Sequence, residues 1–176
     1  VYFVEDLGGA PGFWAVFSGV NLATQVLIHR YWGRLADRFG QKNVMLASGV
    51  GAVFIPLFWL VTRNTWFPLI IYVINGLAWG GYNPAAFNLL LEITPDDHRT
   101  VYVGAYNTLM GVAMAAGPLV GGFAAEALDL RFIFGASFLV RGLALYLFHR
   151  TVRDTGSRRL RMRDLVLGSK AKELDL

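Results

Sequence analysis

The side chains of this chain that could do chemistry are mainly amides and aromatic rings set within long apolar runs. Asn75, Trp79 and Tyr82 recur at spacings of four and three residues, which places them on one face of a helix with Asn83 beside it. An amide, an indole and a phenol suit a largely apolar pocket in which a few hydrogen bonds orient a small solute. The alternative is that the two aromatic rings fill space between helices.

Further polar residues lie in other apolar runs. Polar groups inside a bilayer are costly and usually face protein or water, so they are candidates for a solute pathway. The candidates are Asn21, Gln25, Asn75, Trp79, Tyr82, Asn83 and Asn107. The amides could instead join helices through hydrogen bonds, which contribute about 0.6 to 2 kcal/mol each. Arg141 is the one charge deep in a run, and we expect it to extend to the cytoplasmic surface or to pair with Glu92, with a substrate contact as the alternative.

Other kinds of chemistry find little support in the sequence. The chain has no cysteine, so disulfides, thiolate catalysis and cysteine metal sites are excluded. His29, His98 and His149 are too scattered in sequence to suggest a metal site. A phosphate-binding glycine loop and a Gly-x-Ser-x-Gly elbow are also absent. We therefore predict that the chain is not an enzyme and uses neither a metal nor a cofactor.

The elements that carry these residues are predicted from the distribution of charge. Hydrophobic residues make up 55% of the chain and charged residues only 16%, against about 25% in soluble domains. The uncharged runs are 12–28, 44–61, 65–91, 100–125 and 132–140, the last continuing past Arg141 to residue 148. A helix needs about 20 apolar residues to cross a bilayer, whereas barrel strands are about ten residues long and alternate. The sequence predicts an all-α, polytopic membrane bundle with about five complete transmembrane helices.

Basic residues indicate how the bundle is oriented, because Lys and Arg accumulate in cytoplasmic loops. Most lie in alternate gaps between runs: Arg30, Arg34, Arg38, Lys42, Arg99, Arg150, Arg153, Arg158, Arg159, Arg161, Arg163, Lys170 and Lys172. Only Arg63 and Arg131 lie in the opposite gaps. We therefore expect residues 1–11 to be the extracytoplasmic end of a truncated helix with a loop. Residues 12–149 would form the membrane domain and 150–176 a basic cytoplasmic tail beside membrane lipid. The basic residues flank membrane runs without a nucleic-acid module, so no nucleic-acid partner is expected.

A specific motif lies between the first and second runs. Residues 33–42 read GRLADRFGQK, with glycines at both ends, an acid in the middle and cations around it. This resembles the Gly-x-Leu-Ala-Asp-Arg-x-Gly-x-Lys/Arg signature of the major facilitator superfamily, a short cytoplasmic turn in each six-helix half. The resemblance implies a cytoplasmic gate formed by Gly33, Asp37, Arg38, Gly40 and Lys42. Gln41 departs from the pattern, since the family usually has a second cation there.

A second motif lies in the fourth run, where Gly111 is followed by Gly117, Pro118, Gly121 and Gly122. It resembles the Gly-Pro-x-x-Gly-Gly motif of the fifth helix of a half, best known from drug antiporters. Small residues let helices approach closely and the proline permits a bend, so these residues are predicted to pack and bend the helix. The third run lacks the intramembrane arginine usual in the N-terminal half. The chain therefore resembles a C-terminal half, from the end of helix seven to helix twelve.

The resemblance implies a function: secondary active transport of a small solute across the inner membrane by alternating access. The expected partners are membrane lipid, the solute and a missing N-terminal six-helix half. Two alternatives remain open at this point. One is proton-coupled efflux of drugs or metabolites, and the other is a receptor or scaffold that keeps the fold without transporting.

Overall fold

The computed structural model describes residues 12–62 and 66–152, and helices account for nearly all of them. Five long helices follow one another: α1 (Phe13–Phe39), α2 (Gln41–Val61), α3 (Phe67–Ile93), α4 (Arg99–Ala127) and α5 (Leu130–Thr151). A short 3-10 helix, Asp96–His98, precedes α4. Within the two described ranges there is no strand, which confirms the all-α prediction. Residues 1–11 and the tail beyond Val152 lie outside the described residues.

The junction between α1 and α2 is a single residue, Gly40. Its backbone has φ 86° and ψ 155°, a conformation open almost only to glycine, and its N–H donates to the carbonyl of Ala36 at 2.8 Å. Gly33, expected at the start of a turn, instead lies inside α1. The helix continues to Phe39 because Leu35 and Phe39, four residues apart, are both buried. The prediction of a turn bounded by glycines is therefore correct only at Gly40.

The core forms where α3 packs between α1 and α2. One buried cluster joins all three helices and contains Leu35, Ala36, Phe39, Val44, Met45, Ala85 and Leu89. A second joins α2 to α3 through Ala52, Ile55, Ile71 and Ala78. Glycines on α3 make the close approach to α1 feasible: a Cβ added to Gly76 would lie 2.7 Å from the backbone oxygen of Asn21. One added to Gly80 would lie 2.7 Å from Ile28.

Helix α4 has a different environment, since none of its residues is buried. Asn107 is exposed on it. The residues of its predicted packing motif have no described atom within 4 Å of an added Cβ; these are Gly111, Gly117, Gly121 and Gly122. Pro118 lies inside the helix without ending it. The packing and bending role of this motif stays a prediction.

Length and composition match a membrane environment. Gln41–Val61, Asp96–Ala127 and Leu130–Thr151 are each long and apolar enough to cross a membrane. The other two long helices, α1 and α3, have 27 residues each, or about 40 Å at 1.5 Å per residue. They contain the amides and glycines of the first and third runs. Exposed apolar side chains such as Leu27 and Phe123 would be unfavourable in water but are suited to lipid.

Candidate functional site: a cleft between α1 and α3

A cleft of about 260 Å³ lies between α1 and α3, beside the first turns of α2. Its lining comes from all three helices: His29, Trp32, Gly33 and Ala36 on α1, Gln41 and Val44 on α2, and Gly80, Gly81, Pro84, Ala85 and Asn88 on α3. The lining residues on α1 are spaced by three, one and three positions. Those on α3 repeat at intervals of three or four positions. Each set therefore occupies one face of its helix. The cleft is the meeting place of two such faces.

Trp32 and Gly81 shape the wall of the cleft. A Cβ added to Gly81 would lie 2.7 Å from two atoms of the Trp32 ring, so the indole packs directly on the glycine backbone. The indole N–H donates to the carbonyl of Leu77 at 2.9 Å. Trp32 is partly buried, and with its N–H bonded to α3 the ring presents an apolar surface to the cleft.

Two hydrogen-bond acceptors border the cleft. The side-chain oxygen Oε1 of Gln41 is buried and has no hydrogen-bond partner among the described residues. Pro84 lies inside α3 and has no N–H, so the carbonyl of Gly80 lacks its usual donor in the helix. A buried acceptor without a partner costs about 1 to 3 kcal/mol. Asn88 and His29 add exposed polar side chains that can both donate and accept. The cleft therefore suits a small, mostly apolar molecule that carries hydrogen-bond donors.

Asn21 and Gln25, two of the predicted pathway residues, lie on the side of α1 that faces α3. Gln25 donates through Nε2 to Oδ1 of Asn21 at 2.6 Å, and Asn21 donates through Nδ2 to the carbonyl of Tyr72 at 3.1 Å. This pair joins α1 to α3 through hydrogen bonds. The geometry favours the alternative that these amides hold helices together, and their place in a solute pathway stays a prediction.

The predicted face on α3 divides between two environments. Trp79 and Tyr82 meet edge to face with ring centroids 5.5 Å apart, and both are partly buried. Trp79 packs on the second buried cluster, and Tyr82 packs on the first. Asn75 is also partly buried, whereas Asn83 is exposed. The aromatic rings thus serve the packing of α3 in the described structure, while Asn83 is free to meet solute or another helix.

The predicted gate residues lie at the end of α1 and the beginning of α2. The Asp37 carboxylate is exposed, and the Arg38 guanidinium lies 5.4 Å from the centre of the Phe39 ring. Lys42 is only 5% exposed in the first turn of α2. Asp37 is therefore the member of the motif with an acidic group accessible to a partner helix.

Sequence reasoning missed the roles of His29 and Trp32 in the cleft. The spacing of 29, 32, 33 and 36 was a usable signal, because it describes one helical face. Asn88 is not among the predicted pathway residues either, although it is an amide within the third run. Which two faces meet could not be predicted from either helix alone.

Comparison with known sequences decides the family. The sequence profile of the Major Facilitator Superfamily matches residues 1–171. The chain belongs to the major facilitator superfamily. Proteins of this family are transporters rather than enzymes, so membership confirms the prediction that the chain is not an enzyme.

Similar facilitators include proteins named for drug resistance. The chain is 28% identical to the multi-drug resistance efflux pump PmrA of Streptococcus pneumoniae, over 75% of this chain and 34% of the relative. It is 30% identical to the class E tetracycline resistance protein of Escherichia coli, covering 78% and 35%. It is 30% identical to the multidrug resistance protein MdtG of Citrobacter koseri, covering 89% and 39%. The chain thus spans little more than a third of the length of these relatives.

Proposed function

We propose that this chain works as one half of a secondary transporter that moves a small solute across the bacterial inner membrane by alternating access. In this mechanism two helical halves rock about a site near the bilayer midplane. The chain would supply five helices of the C-terminal half, with its basic tail in the cytoplasm, and a second six-helix half would complete the transporter. Support comes from family membership, the motif at 33–42 and the length relative to known facilitators.

The cleft between α1 and α3 is the observation that supports a solute site. Its wall is mostly apolar, and its polar groups are few and convergent, which is the usual design of a small-molecule site. We propose that the cleft is the cytoplasmic end of the solute pathway, where the solute contacts Gln41 and Asn88, and that the pathway continues towards the midplane along the polar residues predicted on α1, α3 and α4. The solute class is a mostly apolar compound with a hydroxyl or amine donor.

Flux through the complete transporter is the direct test. The full reading frame containing this chain would be purified, reconstituted in proteoliposomes and tested with labelled amphipathic amines and alcohols. We expect uptake or exchange above that of empty liposomes. A folded protein that binds none of these compounds and gives no flux would contradict the transport proposal. Capture of a specific protein partner under those conditions would support the receptor or scaffold alternative.

Drug efflux coupled to protons is the second candidate, favoured by the names of the relatives. The described acids lie at helix ends, for example Asp37 and Glu92, so a coupling carboxylate deep in the membrane would have to come from the other half. An imposed pH gradient should then accelerate flux in the reconstituted transporter. If flux does not depend on the pH gradient, the protein works by facilitated transport without proton coupling.

Replacing Asn88 by alanine is expected to weaken solute binding by about two- to twelvefold. That range corresponds to the loss of one neutral hydrogen bond, about 0.5 to 1.5 kcal/mol. The measurement is the KM for flux or the Kd for the same solute, with Ser137→Ala on α5 as a control that does not line the cleft. If Asn75→Ala weakens binding and Asn88→Ala does not, the solute binds on the Asn75 face of α3 instead.

Replacing Asp37 by asparagine is expected to bias the transporter towards the inward-facing state. A carboxylate at a facing helix N-terminus contributes about 0.3 to 1 kcal/mol when exposed and up to about 2 when partly buried. Its loss would shift a two-state population by about two- to thirtyfold. Labelling of cysteines introduced at the cytoplasmic gate would report the shift. The control is Asp96→Asn, because Asp96 pairs locally with Arg99 at 2.6 Å. If both variants and the parent are labelled equally, Asp37 does not act in the gate.

A further inference from the structure

Helix α2 contains an internal proline, Pro56, which leaves the backbone carbonyl four residues earlier without its usual helical hydrogen bond. Pro56 has no N–H, so it cannot donate to the carbonyl of Ala52 as other helical residues would. Ala52 is only 8% exposed, and it lies near the middle of α2, about 15 Å from either end of the helix. The hydrocarbon core of a bilayer offers no water to this carbonyl. The oxygen therefore needs a donor from within the protein.

Arg141 supplies that donor from another helix. Its Nη1 donates to the carbonyl oxygen of Ala52 at 3.2 Å, across 89 positions of sequence. Arg141 lies near the middle of α5, at the same depth as Ala52. The expectation that Arg141 extends to the cytoplasmic surface or pairs with Glu92 is therefore wrong, because the guanidinium turns sideways to α2. An arginine in the membrane usually marks a specific partner, and here the partner is a backbone oxygen.

The surroundings of this hydrogen bond bring α2 and α5 close together. Gly142, next to Arg141, faces α2, and a Cβ added there would lie 3.9 Å from Val53, an ordinary van der Waals distance. Phe54 and Phe138 extend the contact, with ring centroids 5.6 Å apart. The arginine thus lies within a packed interface between the two helices.

We propose that Arg141 is a positioning residue that substitutes for the missing N–H of Pro56 and fastens α5 to α2 within the membrane. The proline and the arginine satisfy each other's hydrogen-bonding requirement. The proline leaves a backbone carbonyl without a donor, and the arginine is a charged group that requires an acceptor. The two helices then move as one rigid pair, whatever solute the transporter carries. The proposal does not depend on the cleft between α1 and α3.

The proposal predicts that the effects of Arg141 and Pro56 on stability are coupled. Four full-length proteins are compared by thermal unfolding in detergent: the parent, Arg141→Leu, Pro56→Ala and the double variant. Arg141→Leu should lower Tm by on the order of 5 °C, because it leaves the Ala52 carbonyl buried without a donor. In the Pro56→Ala background the helix has its own donor again. The same arginine substitution should there change Tm by less than about 2 °C, or raise it.

Two further comparisons keep the test decisive. Pro118→Ala removes a proline from α4 but gives Ala52 no donor, so Arg141→Leu should retain its full cost in that background. If Arg141→Leu alone does not fold, adding Pro56→Ala should restore a monodisperse protein. An equal loss of Tm in the parent and Pro56→Ala backgrounds, or a double variant that remains unfolded, would overturn the proposal.

Discussion

Replacing Gly76 by alanine is expected to destabilise the bundle, and replacing it by leucine is expected to separate α1 from α3. An added Cβ would lie 2.7 Å from the backbone oxygen of Asn21 and 2.7 Å from the Cβ of Thr24. A backbone atom cannot move aside as a flexible side chain can. Overpacking of this kind costs about 1 to 3 kcal/mol, which exceeds the helix propensity that alanine gains over glycine, about 1 kcal/mol at most. The shift should also weaken the hydrogen bond from Asn21 to Tyr72.

The matched control for this substitution is Gly111→Ala on α4. No described atom lies within 4 Å of a Cβ added there, so the alanine should be neutral or slightly stabilising. Thermal unfolding of the two variants in the same detergent provides the comparison. If the Gly76→Ala protein is as stable as the parent, the distance between α1 and α3 at Gly76 is larger than the structure shows. A destabilised Gly111→Ala protein would instead support the packing role predicted for the α4 motif.

Replacing Gly40 by alanine is expected to lower the free energy of unfolding by about 1 to 3 kcal/mol. The backbone there has φ 86° and ψ 155°, and Gly40 is the one described residue with positive φ. The cost arises because a Cβ clashes with the backbone in this region. Gly40→Asn should not rescue stability, since asparagine tolerates the left-handed helical region near ψ +47° and not ψ 155°. Thermal unfolding measures both variants.

Gly33→Ala is the control within the same motif. Gly33 lies inside α1 with no described atom near its Cβ position, so alanine should stabilise the helix by about 0.5 to 1 kcal/mol. Opposite signs at the two glycines would distinguish backbone strain from a general requirement for small residues in the motif. Equal losses at both positions would contradict the account of Gly40 as the single turn residue.

The sequence alone determined the type of the helices and the approximate limits of α2 to α5, whereas α1 continues to Phe39, well beyond the uncharged run that ends at residue 28. In a bilayer a spanning backbone must satisfy its own hydrogen bonds, so a long uncharged run permits little except a helix. The run at 65–91, for example, corresponds to α3 at Phe67–Ile93. The motif at 33–42 also indicated the family, since it depends on residue types and not on packing. Its glycines were harder to interpret, because Gly33 and Gly40 look equivalent in sequence and only Gly40 leaves the helix.

Only the tertiary structure decided which helical faces meet and therefore which polar groups find partners. Trp79 and Tyr82 share a face that would suit a solute, but the rotation of α3 packs both partly buried rings against the buried clusters. Arg141 has five N–H donors, and its sequence neighbours give no indication that it bonds to Ala52. Such contacts depend on helix rotation and on the distance between helix axes. Small residues on both helices set these quantities together, so neither helix encodes them by itself.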